Sequence, residues 1–299
     1  MVRALLTLLI FTLASCANSV EIREKWTKKE DGSRFVEIEG TSVHYRDFGE
    51  GQAIVLLHGI CDSLHSWRHF KKPILEAGYR YIALDVPGFG LTHGKEIPYD
   101  QENYTLFLNK LFKKLNIESP IIIGNSLGGY IAWNYAINYP RETKKIVLLS
   151  PAGYPLSPPL VVRISENGFL QWIAKNLSTR MSSDFIARGV FYDRDKMEEE
   201  DLERFYELFN LEGNFEKYMR VFKSIMKLQN AVPDLTRLET PTLLIWGEND
   251  NWIPFKQTNH WKRDVDHLEF FPLKETGHTP QLERPKKTIQ IILNSLKKE

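Results

Sequence analysis

Three residues in this chain have the types and surroundings for nucleophilic acyl chemistry: Ser126, Asp250 and His278. Ser126 is the centre of Gly124-Asn125-Ser126-Leu127-Gly128, a Gly-x-Ser-x-Gly spacing. A serine hydroxyl is a weak nucleophile until a base takes its proton, and that base needs an acid to hold its tautomer. His278, in Gly277-His278-Thr279-Pro280, is the candidate base. Asp250, in Gly247-Glu248-Asn249-Asp250, is the candidate acid. The flanking glycines suit a sharp strand-to-helix turn in which the serine sits under strain and its neighbours carry no bulk. Such a turn aims the first N–H groups of the helix at the reacting oxygen. Leu127 supplies one of these. Ile60, just after His58-Gly59, is expected to supply the second oxyanion donor.

Rival residues are weighed by position. Glu248 competes with Asp250, but Asp250 lies further past its strand and can reach across to a histidine. His260 and His267 are read on a helix and at a strand start, away from a glycine loop. His58 precedes its turn and is read as a structural histidine. Cys61 is read as a small packed residue, since no Cys–His pattern accompanies it.

Positioning these groups requires a sheet. Continuous apolar runs over 53–57, 121–123, 145–149 and 242–246 read as strands buried on both faces, as in a parallel sheet. Further strands are expected over 79–84 and 267–271, with an opening hairpin over 35–47 that turns near Gly40. Helical patterns cover 67–77, 104–115, 127–139 and 285–296. This alternation predicts an α/β fold, a doubly wound, mostly parallel sheet, in which sites form at strand carboxyl ends. The loop Asp85 to Thr92 at one such end is read as shape, not chemistry. After a proline-rich hinge at 151–159, residues 160–235 show only helical patterns rich in aromatics. A helical insert there is expected to form a lid.

The 299 residues carry 42% hydrophobic and 26% charged types, and the formal net charge is +1. No global field favours nucleic acid. The mean hydropathy of -0.33 excludes a polytopic membrane protein. Cys16 and Cys61 are the only cysteines, so no disulfide framework and no cysteine-based zinc pattern exist. No metal-ligand spacing or cofactor fingerprint is present, and none is expected.

Arg3 and the apolar run from Ala4 to Ala14 form a signal segment too short to span a bilayer. It ends in Leu13-Ala14-Ser15-Cys16, which resembles the lipobox of bacterial lipoproteins. That resemblance implies lipidation at Cys16 and attachment to a membrane of the cell envelope. Ordinary signal cleavage, giving a soluble secreted or periplasmic protein, is the alternative. The expected organisation is then a signal peptide at 1–16, a tether at 17–33, the first part of the core at 34–152, a cap at 153–236 and the second part of the core at 237–299.

From about Phe35 to the C-terminus the chain resembles the α/β-hydrolase family with a helical cap. The matching segments are His58-Gly59, Asp85 with Gly88 and Gly90, Gly124 to Gly129, Trp246 to Asp250 and Gly277-His278. The resemblance implies the family's fold, a Ser126–His278–Asp250 triad and the oxyanion hole. Serine at 126 departs from the haloalkane dehalogenase and epoxide hydrolase branches, which use aspartate. Asn125 resembles carbon–carbon bond hydrolases of aromatic degradation and some esterases. Three readings follow. The first is a lipid-anchored serine hydrolase of small-molecule esters with apolar acyl or aryl groups. The second is a carbon–carbon hydrolase of the meta-cleavage-product type. The third is a binding protein that keeps the fold without turnover.

Overall fold

The computed structural model describes residues 19–28, 32–155, 163–176, 179–227 and 233–297. Cys16 and the signal segment lie outside them. The strands are β1 (Ser33–Ile38), β2 (Thr41–Phe48), β3 (Ala53–Leu57), β4 (Arg80–Leu84), β5 (His93–Gly94), β6 (Ile121–Asn125), β7 (Lys145–Leu149), β8 (Thr242–Gly247) and β9 (Leu268–Leu273). They form one sheet in the order β1-β2-β4-β3-β6-β7-β8-β9, with β5 beside β2. β1 and β2 are the expected hairpin and pair antiparallel, as does β2 with β4. From β4 through β9 every neighbouring pair on that path is parallel.

The helices are α1 (residues 19–28), α2 (Arg68–Glu76), α3 (Gln101–Lys114), α4 (Leu127–Asn138), α5 (Gly168–Asn176), α6 (Arg180–Arg188), α7 (Glu199–Asn210), α8 (Asn214–Lys227), α9 (Thr258–Asp264), α10 (Pro280–Glu283) and α11 (Pro285–Leu296). They explain why the central strands are apolar. In β3, Ile54 and Leu56 face a cluster built with Phe70 and Ile74 of α2 and Ile289 and Ile292 of α11. Val55 and Leu57 face the opposite cluster, with Leu111 of α3 and Ile131 and Tyr135 of α4. The central strands β3, β6, β7 and β8 therefore bury both faces, and no alternation of polar residues survives in them.

Helices α5 to α8 are the insert between β7 and β8, as the break in strand pattern predicts. α8 is rooted in the main core: Phe215, Tyr218 and Phe222 join the cluster above α4. The ring of Tyr218 meets that of Phe89 at 4.8 Å. Phe89 belongs to the Asp85–Thr92 loop, so that loop supports the cap. The Asp85 carboxylate gathers the loop by accepting from the N–H groups of Leu64 and Leu91, both at 2.7 Å.

The expected tether at 17–33 is not free chain over its described part. Residues 19–28 form α1, which lies on the cap. Ile22 and Trp26, spaced four apart, share a helix face and bury against Leu91, Leu208 and Leu211. Lys25 bridges Glu203 and Glu207 at 2.7 Å each, and the Trp26 indole donates to Glu207 at 2.7 Å. A polar composition concealed this amphipathic turn, because two large apolar residues suffice to dock a short helix.

Candidate active site

β6 ends in Asn125, and Ser126 adopts φ 53° and ψ -113° before α4 starts at Leu127. A non-glycine residue in the left-handed region is held there by its surroundings. The surroundings are tight. A Cβ on Gly124 would lie 2.2 Å from the Gly128 carbonyl oxygen, and one on Gly128 would lie 2.0 Å from that of Leu57. Strand, turn and helix thus approach at distances only glycine permits. Leu127 begins the helix, so its N–H has no carbonyl one turn back to bond.

β8 and β9 deliver the other two groups. The His278 Nδ1 lies 2.8 Å from Oδ2 of Asp250, and both residues are buried. The other carboxylate oxygen of Asp250 accepts from the N–H groups of Trp252 and Ile253 at 2.8 and 2.9 Å. The carboxylate is therefore fully engaged and its orientation set. It holds the Nδ1 proton, leaving Nε2 as the basic nitrogen. Nε2 of His278 has no hydrogen-bond partner among the described groups.

Ser126, His278 and Ile60 line one cavity of about 80 Å³. Asp250 lies behind His278 and out of that lining. Gly59 and Ile60 form one wall; Ile186, Ala187 and Val190 of the cap, with Trp252 and Leu282, form much of the rest. The structure thus brings together five of the six residues singled out from sequence. The sixth, Cys16, lies outside the described residues.

His58 is structural: its Nδ1 faces the Gly59 carbonyl oxygen at 2.7 Å and its Nε2 accepts from Val86 N–H at 2.9 Å. Burial lowers its pKa, which suits a neutral ring used in this way. Burial, with help from Asp62, pushes the Cys61 thiol up, away from thiolate chemistry. Asn125 is also occupied. Its amide donates to the carbonyl oxygens of Leu149 and His278 at 2.9 and 3.0 Å and accepts from Gln281 at 3.1 Å. It ties the serine turn to the histidine loop.

Several residues at the site stand outside the motifs singled out from sequence. Trp252 stacks on the His278 ring at 5.9 Å and 13°. Glu283 accepts from Gly277, Tyr192 and Asp193 N–H groups at 2.6, 3.2 and 2.8 Å, joining the histidine loop to the cap. His278 N–H itself donates to Val190 of the cap at 2.7 Å. Arg204 and Asp62 place ionisable groups in the cavity wall. The spacing of Trp252, two residues beyond Asp250, could have suggested it; nothing marks Glu283 or Arg204.

A family model described as the alpha/beta hydrolase fold matches residues 52–285. The chain is 27% identical over 268 residues to a 2-hydroxy-6-oxononadienedioate/2-hydroxy-6-oxononatrienedioate hydrolase of Paraburkholderia phymatum, covering 85% of this chain and 90% of that protein. Among solved structures, a membrane phospholipase A described as a bacterial virulence factor superposes with a TM-score of 0.78 at 22% identity, covering 99% of this chain and 98% of the other. An esterase of Thermogutta terrifontis gives 0.74 at 19% identity, covering 89% and 98%. At these identities the two structural likenesses speak to the fold.

Proposed function

This chain belongs to the α/β-hydrolase fold family and is a serine hydrolase of that fold; from that premise we propose that it cleaves carboxylic esters with apolar acyl or aryl groups. In this reading Ser126 Oγ attacks the ester carbonyl carbon while His278 Nε2 takes its proton. The N–H groups of Ile60 and Leu127 hold the oxyanion. The tetrahedral adduct collapses, the alcohol leaves with the proton from His278, and Ser126 is acylated. Water, deprotonated by the same nitrogen, then releases the acid. Asp250 keeps the imidazole in its tautomer and stabilises the imidazolium.

The observation that supports this reading best is the Asp250–His278 bond at 2.8 Å, with the opposite nitrogen unengaged in a cavity that Ser126 also lines. Apolar side chains such as Ile186, Val190, Leu208 and Leu282 dominate the lining and favour an apolar acyl group. The cavity, at about 80 Å³, is well below the ~300 Å³ typical of a ligand pocket. Long acyl chains therefore require the cap to move.

Carbon–carbon hydrolysis is a second reading, favoured by the 27% identical relative, which is named for such a substrate. The two separate by experiment. A ladder of p-nitrophenyl esters and a ring-cleavage dienoate are offered to the protein and to Ser126→Ala. Ester turnover that vanishes in the variant supports the first reading; cleavage of the dienoate alone moves the assignment to the second.

Cys16 belongs to the same proposal as a point of lipidation, on the strength of Leu13-Ala14-Ser15-Cys16. Mass spectrometry of the mature N-terminal peptide checks it. An unmodified terminus beyond residue 16 would point to the secreted alternative.

A further inference from the structure

Thr279 stands between His278 and α10, where a threonine hydroxyl ordinarily accepts from the N–H groups of the first helical turn. Its side chain makes no such bond. The N–H groups of Leu282 and Glu283 donate to its carbonyl oxygen instead, at 3.0 Å each. The hydroxyl is nonetheless inside the protein. Thr279 is 6% exposed, and its Oγ1 is buried with no hydrogen-bond partner among the described groups. A buried hydroxyl left unpaired opposes folding, so its place calls for a ligand.

Thr279 lines the same cavity as Ser126 and His278. Two consecutive residues of its wall, His278 through Nε2 and Thr279 through Oγ1, thus end in buried polar atoms that no described group engages. Their neighbours offer little. Trp252, stacked on the His278 ring, spends its indole N–H on the Gly189 carbonyl oxygen at 3.2 Å. Leu282 and Val190 add apolar wall. The loop is also held from both sides, by the His278 N–H on Val190 at 2.7 Å and by the bonds from Leu282 and Glu283. Once an ester's alcohol has left, a water must approach Nε2 to release the acid. A water in an enclosure of this kind needs two or more polar partners to keep one orientation.

We propose that Thr279 Oγ1 and His278 Nε2 together hold the water that hydrolyses the acyl-enzyme; the assignment rests on the ester reading above. The water donates one O–H to His278 Nε2 and the other to Thr279 Oγ1. Its oxygen bonds to the acyl carbon as the first proton passes to Nε2. The tetrahedral adduct then expels Ser126 Oγ, which takes that proton back from His278, and the acid leaves. Thr279 gains and loses no proton; it fixes the direction of the water's lone pair. Acylation by a p-nitrophenyl ester makes no use of it, because p-nitrophenolate is a stable anion and leaves without a proton.

Rapid mixing with p-nitrophenyl butyrate separates the two half-reactions. Wild type is compared with Thr279→Val, which removes the hydroxyl at nearly constant volume, and Thr279→Ser, which keeps it. Thr279→Val should release its first p-nitrophenolate at the wild-type rate. Its acyl-Ser126 adduct, followed by mass spectrometry of quenched protein, should then decay on the order of tenfold more slowly. The ratio kcat/KM, which reports acylation alone, should stay unchanged. Thr279→Ser should recover most of the decay rate. An adduct that decays in Thr279→Val as fast as in wild type overturns the proposal and leaves the ester reading standing. Equal slowing of acylation and deacylation also overturns it, since Thr279 would then only support the His278 loop. So does a Thr279→Ser variant as slow as the valine. A wild type that releases no p-nitrophenolate removes the ester reading and this assignment with it.

Discussion

The guanidinium of Arg204 lies 4.7 Å from the ring centroid of Trp26. One of these residues is in the N-terminal helix and the other lines the cavity. Arg204 also donates from Nε to Ser63 Oγ at 2.8 Å, so the stack connects α1, the cap and the loop that carries Ile60.

Removing the ring should therefore be felt twice. Trp26 is 0% exposed, and truncation of a buried tryptophan costs about 3–5 kcal/mol. Trp26→Ala is expected to lose stability of that order in denaturant unfolding. It should raise KM more than it lowers kcat, because α7 supplies Arg204, Phe205 and Leu208 to the cavity. Lys25→Ala, which breaks only partly exposed ion pairs, should cost less than about 1 kcal/mol. Equal losses for the two variants would mean that α1 is held by charge rather than by packing.

The three proposed catalytic groups make a second prediction. Ser126→Ala and His278→Ala should each reduce kcat on the order of 10^4-fold or more with folding intact. Asp250→Asn should cost on the order of 10^4-fold, since the amide can stabilise the wrong imidazole tautomer. Steady-state kinetics read all three. Near-normal turnover in Asp250→Asn would shift the acid role to Glu248.

The serine turn yields a stability test. A methyl on Gly128 meets backbone oxygens of Leu57 and His58 at 2.0 and 2.7 Å. Backbone cannot step aside as a side chain tip can, so Gly128→Ala should destabilise by about 3 kcal/mol or prevent folding. Gly168→Ala has nothing within 4 Å and should stay within about 0.5 kcal/mol of wild type. Thermal melts of the pair compare a closed site with an open one.

Asp62 sets a pH dependence. It lines the cavity, and burial, with the charge of Asp201, pushes its carboxyl up to about 7 despite Ser63 N–H, Ser66 and Arg204 favouring the anion. An aspartate in unfolded chain titrates near ~3.9. Between those values the folded state keeps a proton that the unfolded state has released. The resulting stabilisation is complete below the unfolded value and is lost as pH rises toward about 7. Asp62→Asn holds the neutral form at every pH. Its Tm relative to wild type should rise across that window and then level. A flat difference would show that Asp62 ionises like an exposed carboxylate.

Much of the site could be read before the fold was in hand. The strain at Ser126 follows from Gly124 and Gly128, and the order Ser126, Asp250, His278 follows from their places just past the ends of three strands, β6, β8 and β9. The insert was visible as the loss of strand pattern after Leu149. Its attachments were not: Val190 accepting from His278 N–H, or Glu283 gathering Gly277 and Asp193, involve residues far apart in sequence with no shared local pattern. α1 reads as tether in the sequence because Lys and Glu dominate its composition, whereas its docking depends on Ile22 and Trp26.

Sequence by itself determined the local chemistry and the strand positions: which turns must be tight, which strands are buried on both faces, and which side chains stand at their carboxyl ends. Those are short-range consequences of residue size, branching and periodicity. Only the tertiary structure decided that Asn125 is spent on the His278 carbonyl, that Arg204 and Asp62 enter the cavity wall, and that α1 grips the cap. These depend on which surfaces meet after the chain has folded, and a meeting between residues over a hundred positions apart leaves no periodic trace in either segment.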